Sequence, residues 1–300
     1  MPPSTVVALL GATGAVGAEV LRALRAHPMP FQVDGYGGPT HASDDDEDPV
    51  YPLGADESLD ADVVILATPA ALTGTLAARV EDGVIVDLSG TLDAPIILDA
   101  DQAPSPTHVR LAGPVAAAVA PLLRALGPLG LTHAHLTTLL PASTDGRDAL
   151  DELRDQAVAL LSFRDPPTRA LGRRLAFDAQ PADAHGLALA AEVQALVPGP
   201  RVTAQAVQIG AFIGTGVALR LQFGAPVDRA AVDAVVATQP GLVAHAAPDL
   251  GAAGDAWQAP CGPCVATADP CAVTLWLTVD NLRLTAARVV QLLLAWYGAR

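Results

Sequence analysis

Uninterrupted apolar runs, separated by helical repeats, dominate the first hundred residues. TVVALL at Thr5–Leu10, ADVVILA at 61–67 and GVIVD at 83–87 lack the polar alternation of a strand with one wet face, so each predicts a strand buried on both sides. Shorter runs at 31–36 and 108–112 predict two more strands. Helices are predicted over 16–26 and through Leu76 and Ala77. Apolar strands alternating with helices imply a parallel sheet covered on both faces, a doubly wound α/β unit. The polar stretch GGPTHASDDDEDPVYP at 37–52 interrupts this pattern and reads as a solvated acidic loop.

The pattern changes after residue 129. A strand over Leu131–Leu140 precedes a helix over 146–161, whose Leu150, Leu153, Ala157 and Leu160 recur at helical spacing. Strands are predicted at 205–212, 217–223 and 273–279, and a helix at 227–238. A final helix over 282–297 carries Ala286, Val290 and Leu293 on one face. This half reads as α+β with a mixed or antiparallel sheet. The division expected is residues 1–115 with 280–300 as one domain and 116–279 as the other.

Between the first strand and the first helix lies GATGAVG. Gly11 allows a tight turn, Gly14 lets backbone approach a pyrophosphate, and Gly17 permits close packing of the helix. Thr13, Ala15 and Val16 complete the segment that would face the ligand. In this strand–turn–helix setting the fingerprint predicts a dinucleotide-binding turn, with a turn kept only for packing as the alternative. Neither Arg nor Lys occurs between Arg25 and Arg79, so the 2′-phosphate of NADP meets only His27, His41 and the acidic run. NADP is therefore disfavoured, NAD is favoured, and no cofactor at all is the third reading. Asp34, twenty residues after Gly14, is placed either to accept a hydrogen bond from a free ribose 2′-hydroxyl or to serve as a turn residue.

Charge narrows the partners further. The net charge of −15 argues against nucleic acid and anionic membranes. All 17 basic residues are Arg, which removes lysine Schiff-base chemistry. No apolar run reaches the roughly 18 residues of a membrane span. The opening MPPSTVVALLGATG lacks the basic stretch and cleavage site of a secretion signal, so a cytoplasmic location is expected.

Five stretches, GATGAVGAEVLRAL, DADVVILATPA, GVIVDLSG, TTLLPASTDGRDALDEL and DNLRLTAARVVQLLLAW, together resemble the aspartate-semialdehyde dehydrogenase family. They occur in the family's order across nearly the whole chain. The resemblance implies a Rossmann-type nucleotide-binding domain plus an α+β substrate/dimerisation domain, and a homodimer. It also locates the family's catalytic positions. The nucleophilic cysteine of an NPxCST-like segment falls on Ala116, within Gly113-Pro114-Val115-Ala116-Ala117. The histidine base of an RVPVxxGHS-like segment falls on Thr215, and the substrate-binding arginine on Gln208. The phosphate-binding arginine after a DNSSAFR-like segment falls on Asp93, and the glutamine of QxVSGxG on Leu140. None of these five residues can perform the family role: alanine offers no lone pair, and neither a threonine hydroxyl nor an amide titrates near neutrality. The pattern and its losses resemble the Usg-type paralogues of the family. A catalytically inactive, dimeric scaffold or regulatory subunit is expected, acting with an as yet unidentified protein partner.

Two features lie outside the resemblance. Cys261-Gly262-Pro263-Cys264 repeats the thioredoxin tetrapeptide, and Cys271 extends it to C-x₂-C-x₆-C, one thiolate short of a closed zinc site. Pro260 and Pro270 suggest a loop of incidental thiols; a redox pair, or a metal site completed by another ligand, is the alternative. A dehydrogenase or reductase working through one of these thiols is the competing enzyme reading. His133 and His135, two apart on a predicted strand, face one side of it, and Ser143 reads as a turn residue.

Overall fold

The computed structural model describes residues 5–28, 31–38, 49–54, 58–98, 108–251 and 258–297. The chain divides into two compact units, Met1–Gly113 with Thr285–Arg300, and Pro114–Leu284.

The first unit runs β1 (Thr5–Leu10), α1 (Ala15–Ala26), β2 (Phe31–Gly37), β3 (Val50–Pro52), β4 (Leu59–Leu66), α2 (Ala70–Ala77), β5 (Val80–Asp87), β6 (Ile96–Ile97) and β7 (His108–Leu111). Its strands form one sheet in the order β3-β2-β1-β4-β5-β7-β6, with every pairing parallel. The last four residues of both β1 and β4 are buried without alternation, as strands covered on two faces must be. The order reverses between β1 and β4, and the crevice at the carboxyl ends of those two strands is where open parallel sheets hold ligands. The acidic run at 44–48 and His41 lie outside the described residues.

The second unit runs α3 (Pro114–Leu126), β8 (Leu131–Leu140), α4 (Arg147–Leu161), β9 (Ala179–Pro181), α5 (Asp183–Leu196), β10 (Arg201–Ile209), β11 (Thr215–Phe223), α6 (Arg229–Ala237), β12 (Leu242–Ala244), β13 (Ala259–Cys261), β14 (Val265–Ala266) and β15 (Ala272–Val279). Its mixed sheet has the order β12-β13-β15-β11-β8-β10-β9, with β14 paired to β15. The last helix, α7 (Asn281–Tyr297), begins in this unit, and its residues from Thr285 onward belong to the first. A strand expected over 205–212 instead ends at Ile209. Gly210 packs so closely that a Cβ there would lie 2.8 Å from Leu175 O, and the chain leaves the sheet. The helix α5 was not anticipated, because its alanine-rich sequence has almost no apolar face.

Between α4 and β9 the chain forms a strap without regular structure, and two buried side chains of α4 fasten it. Glu152 accepts the N–H groups of Ala170 (2.7 Å) and Leu171 (2.9 Å). The Gln156 amide donates to Pro167 O and Arg173 O, both at 2.8 Å, and accepts from Leu175 N (2.7 Å) and Ala176 N (3.0 Å). Backbone groups that would otherwise be buried unpaired are satisfied this way.

Candidate functional site

The glycine turn sits at the reversal of strand order. Gly11 N and Ala12 N both donate to Tyr36 O at 2.9 Å, which ties the turn to the end of β2. Gly11 adopts φ +85°, and a Cβ on it would lie 2.3 Å from Ala67 O at the end of β4. A Cβ on Gly17 would lie 2.0 Å from Gly11 O, so this glycine lets the helix pack on the turn itself. Gly14 differs from both. It has φ −70° and ψ 167°, open to any residue, and its nearest obstacle is Gly11 O at 3.2 Å. The first N–H groups of α1, on Ala15, Val16 and Gly17, have no acceptor within the helix, and the first turn carries no acidic residue. With Thr13 beside them, these groups fit an anion such as a pyrophosphate.

Asp34 does not fit the role expected from its spacing. It lies in mid-strand, paired with Ala8, three residues short of the end of β2 at Gly37. At about 3.3 Å per residue this is roughly 10 Å below the carboxyl edge where a ribose would lie. Its carboxylate accepts a hydrogen bond from Gln32 Nε2 at 3.3 Å; in mid-strand it is not the turn residue of the alternative reading, and its depth counts against the ribose contact.

After β5 the chain forms a tightly closed loop. The fully buried Asp87 carboxylate accepts Ser89 N (2.7 Å), Ser89 Oγ (2.7 Å), Thr91 N (2.8 Å) and Leu92 N (2.9 Å). Arg110 on β7 holds the same loop by donating to Ala94 O (3.0 Å) and Gly90 O (3.1 Å). Asp93 projects from it exposed, a carboxylate at the position where the resemblance calls for a cation.

In the second unit three of the family positions come together. Leu140 pairs with Gln208 across β8 and β10, and Thr215 opens β11 next to the Gly216–Leu139 pair. Gln208 and Thr215 are 3% and 2% exposed, and Ala116, in the first turn of α3, is 0% exposed. Gln208 is held at both ends: Arg173 of the strap donates to its Oε1, and its Nε2 donates to Asp145. Beside it, Asn281 Nδ2 donates to Ser143 Oγ at 3.0 Å, and Asn281 Oδ1 accepts Gly214 N at 3.2 Å. Ser143 lies, as expected, in a turn. Arg173 and Asp145 escaped the sequence reading because nothing periodic marks the strap. Asn281 opens the family-like DNLR segment, but its contact with Ser143 spans the whole unit.

Cys264 and Cys271 lie in loop segments, as expected, but Cys261 does not. Cys261 is the last residue of β13, paired with Leu277 of β15, because β15 supplies an edge that Pro260 does not block. Cys261 and Cys264 are buried and free, and Cys271 is half-buried. Burial first, and then the Asp233 carboxylate, push both Cys261 and Cys264 up to about 11, so both are neutral thiols at physiological pH. Among the described residues no three of His, Cys, Asp and Glu assemble into a metal-holding group. His133 and His135 do share one side of β8, and both hydrogen-bond Thr203 Oγ1, at 2.8 and 2.9 Å. No helix among the described residues is long and apolar enough to cross a membrane.

Residues 6–103 match the model of the semialdehyde dehydrogenase NAD-binding domain. A USG-1 protein homolog of Azotobacter vinelandii is 28% identical over 341 residues, covering 98% of this chain and 99% of that protein. One from Pseudomonas aeruginosa is 33% identical over 230 residues, covering 68% of each chain. The solved structure of a probable aspartate-semialdehyde dehydrogenase from Pseudomonas aeruginosa superimposes with a TM-score of 0.79 at 28% identity, covering 97% of this chain and 99% of the other. A parallel nucleotide-binding sheet followed by a mixed sheet is the architecture these proteins share. The chain belongs to the semialdehyde dehydrogenase family, as a relative of its USG-1 homologs.

Proposed function

We propose that the chain is a catalytically silent member of this family, which keeps a dinucleotide-binding turn and works as a homodimeric scaffold or regulatory subunit. The observation that supports this most directly is Ala116. Where the family's thiolate would attack an aldehyde carbon, this chain has a methyl group buried within its unit. Without a nucleophile there is no covalent intermediate to transfer to phosphate. The neighbouring positions support the same reading. Gln208 is engaged by Arg173 and Asp145, Thr215 offers only a hydroxyl, and Asp93 would repel phosphate. The competing reading, an oxidoreductase using the clustered cysteines, finds no ready thiolate at Cys261 or Cys264, whose burial keeps them protonated, and rests on Cys271 alone.

The turn supports nucleotide binding because Gly14 presents no steric demand of its own, while Gly11 and Gly17 are fixed by packing. NAD is preferred over NADP, since no Arg or Lys occurs between Arg25 and Arg79. Calorimetric titration with NAD⁺, NADH, NADP⁺ and NADPH tests this. Micromolar binding of the NAD forms is expected, and tighter binding of the NADP forms would overturn the preference.

A further inference from the structure

The pairing around Cys261-Gly262-Pro263-Cys264 contains one residue too many. Cys261 of β13 pairs with Leu277 of β15, and Val265 of β14 pairs with Thr274. Four steps along this edge match three along β15, which is a β-bulge within 262–264. Gly262 N still donates to Trp276 O at 2.8 Å, but Cys264 N leaves the ladder and donates to Asp233 Oδ1 of α6 at 2.9 Å. The extra residue decides where the second thiol points. In an unbroken strand, residues three apart face opposite sides. Here Cys261 shares the side of its fully buried partner Leu277. Val265 shares the side of Thr274 and is 55% exposed, so Cys264, its neighbour, points back to the buried side and is 3% exposed. The bulge thus brings both thiols to one face of the sheet, beside α6.

Register also sets their separation. Leu277 to Thr274 covers roughly 10 Å of β15, so the Cα atoms of Cys261 and Cys264, one step less, stand roughly 7 Å apart. A disulfide spans about 4.4–6.8 Å between Cα atoms, and neutral buried thiols exchange slowly. A metal ion placed between the sulfurs has a longer reach. Two metal–sulfur bonds of about 2.3 Å replace one S–S bond of about 2.05 Å and extend the bridge by about 2.5 Å. Other ligands are not at hand. Among the described residues no third His, Cys, Asp or Glu joins the pair in a metal-holding group. Asp233, the nearest carboxylate to both thiols, is engaged by Cys264 N and lies 4.0 Å from Arg229.

We propose that Cys261 and Cys264 form a two-coordinate thiolate site for copper(I). Soft thiolates select this ion, and copper(I) is content with two sulfurs in line, whereas a structural zinc site takes four ligands. Two thiols and Cu⁺ give a bis-thiolate complex of charge −1 and release two protons to solvent, with no change of oxidation state. Arg229 is the cation that offsets this charge beside Asp233. Entry is from the sheet margin: β14 pairs with β15 alone, and Pro263 and Val265, which flank Cys264, are exposed. The thiols lie on the helix-covered side of the sheet, which leaves its other face to the proposed homodimer.

The test is anaerobic titration of the full, reduced chain with copper(I) in competition with the chromogenic chelator bicinchoninate. A single copper(I) ion per chain is expected to be withheld from the chelator, and X-ray absorption of the loaded protein should show two sulfur neighbours. Cys271→Ser should retain the ion, and Cys261→Ser and Cys264→Ser should each lose it. Circular dichroism reports whether those two variants fold, and the X-ray absorption of the parent stands regardless of them. No copper retained by the parent overturns the proposal. So does loss of copper in Cys271→Ser or a third sulfur neighbour, either of which would make the site a cluster of all three thiols. Zinc(II) retained in preference to copper(I) would overturn the two-coordinate assignment. Loss of two protons from the Cys261–Cys264 peptide on exposure to oxidised glutathione, with no copper retained, would assign the pair to thiol exchange instead.

Discussion

Alanine at Gly11 and alanine at Gly14 separate the glycine that builds the turn from the one that faces a ligand. Gly11 has φ +85°, where an L-residue costs about 1–2 kcal/mol before any contact is made. Its new Cβ would also lie 2.3 Å from Ala67 O, a backbone atom at the end of β4 that cannot swing aside. Moving it is a form of overpacking, adding about 1–3 kcal/mol. The sum, about 2–5 kcal/mol, is a large share of the roughly 5–15 kcal/mol that holds a domain folded. At Gly14 the backbone already suits alanine, the nearest atom is 3.2 Å away, and the loss is a weaker N-cap worth under about 1 kcal/mol. Urea unfolding followed by circular dichroism should show Gly11→Ala with a midpoint about 1–2 M lower and Gly14→Ala close to the parent. NAD⁺ calorimetry should then show Gly14→Ala bound at least about tenfold more weakly, because its methyl stands where the pyrophosphate approaches. A Gly11→Ala protein as stable as the parent would refute the packing argument, and a Gly14→Ala protein with unchanged affinity would refute the ligand-facing one.

Three further substitutions or titrations test other parts of the structure. Phe163 caps α4 at φ 54° with its ring 99% exposed, so Phe163→Gly should raise stability by about 0.5–1 kcal/mol in urea unfolding; a loss would show that the ring is engaged. Gln156→Ala strands four backbone groups of the strap and should cost about 2–4 kcal/mol, with early proteolysis between α4 and β9; an unchanged midpoint would contradict the anchoring role. Cys261 and Cys264 are raised in the fold from 9.0 to about 11, so their contribution to stability is intact below pH 9 and lost as pH climbs to 11. Denaturation midpoints should fall across that window, and iodoacetamide at pH 8 should label Cys271 well before the other two.

Strands with unbroken apolar runs were legible because burial on both faces leaves a continuous signal: Thr5–Leu10 and Leu131–Leu140 hold their expected bounds. The helix α5 was not, since its close packing depends on Gly186, where a Cβ would lie 2.9 Å from Gln205 Cα, rather than on a repeating apolar face. At the site, spacing marked Gly11 and Gly17, because each answers a local geometric need, whereas Gly14 meets none within the fold. Spacing misplaced Asp34, because the distance along the chain ignores where β2 ends relative to the turn. The Arg173–Gln208–Asp145 and Ser143–Asn281 contacts are products of tertiary folding and leave no periodic trace in sequence.

The most direct measurement is the phosphate-dependent oxidation of L-aspartate semialdehyde by the purified protein, followed at 340 nm with NAD⁺ and with NADP⁺. With a buried methyl at Ala116 and a hydroxyl at Thr215, no turnover above the uncatalysed rate is expected with either nucleotide, even where calorimetry shows NAD⁺ bound. Phosphate-dependent turnover that is absent from a Gly11→Ala control would show that the chain retains the family's chemistry through residues other than these.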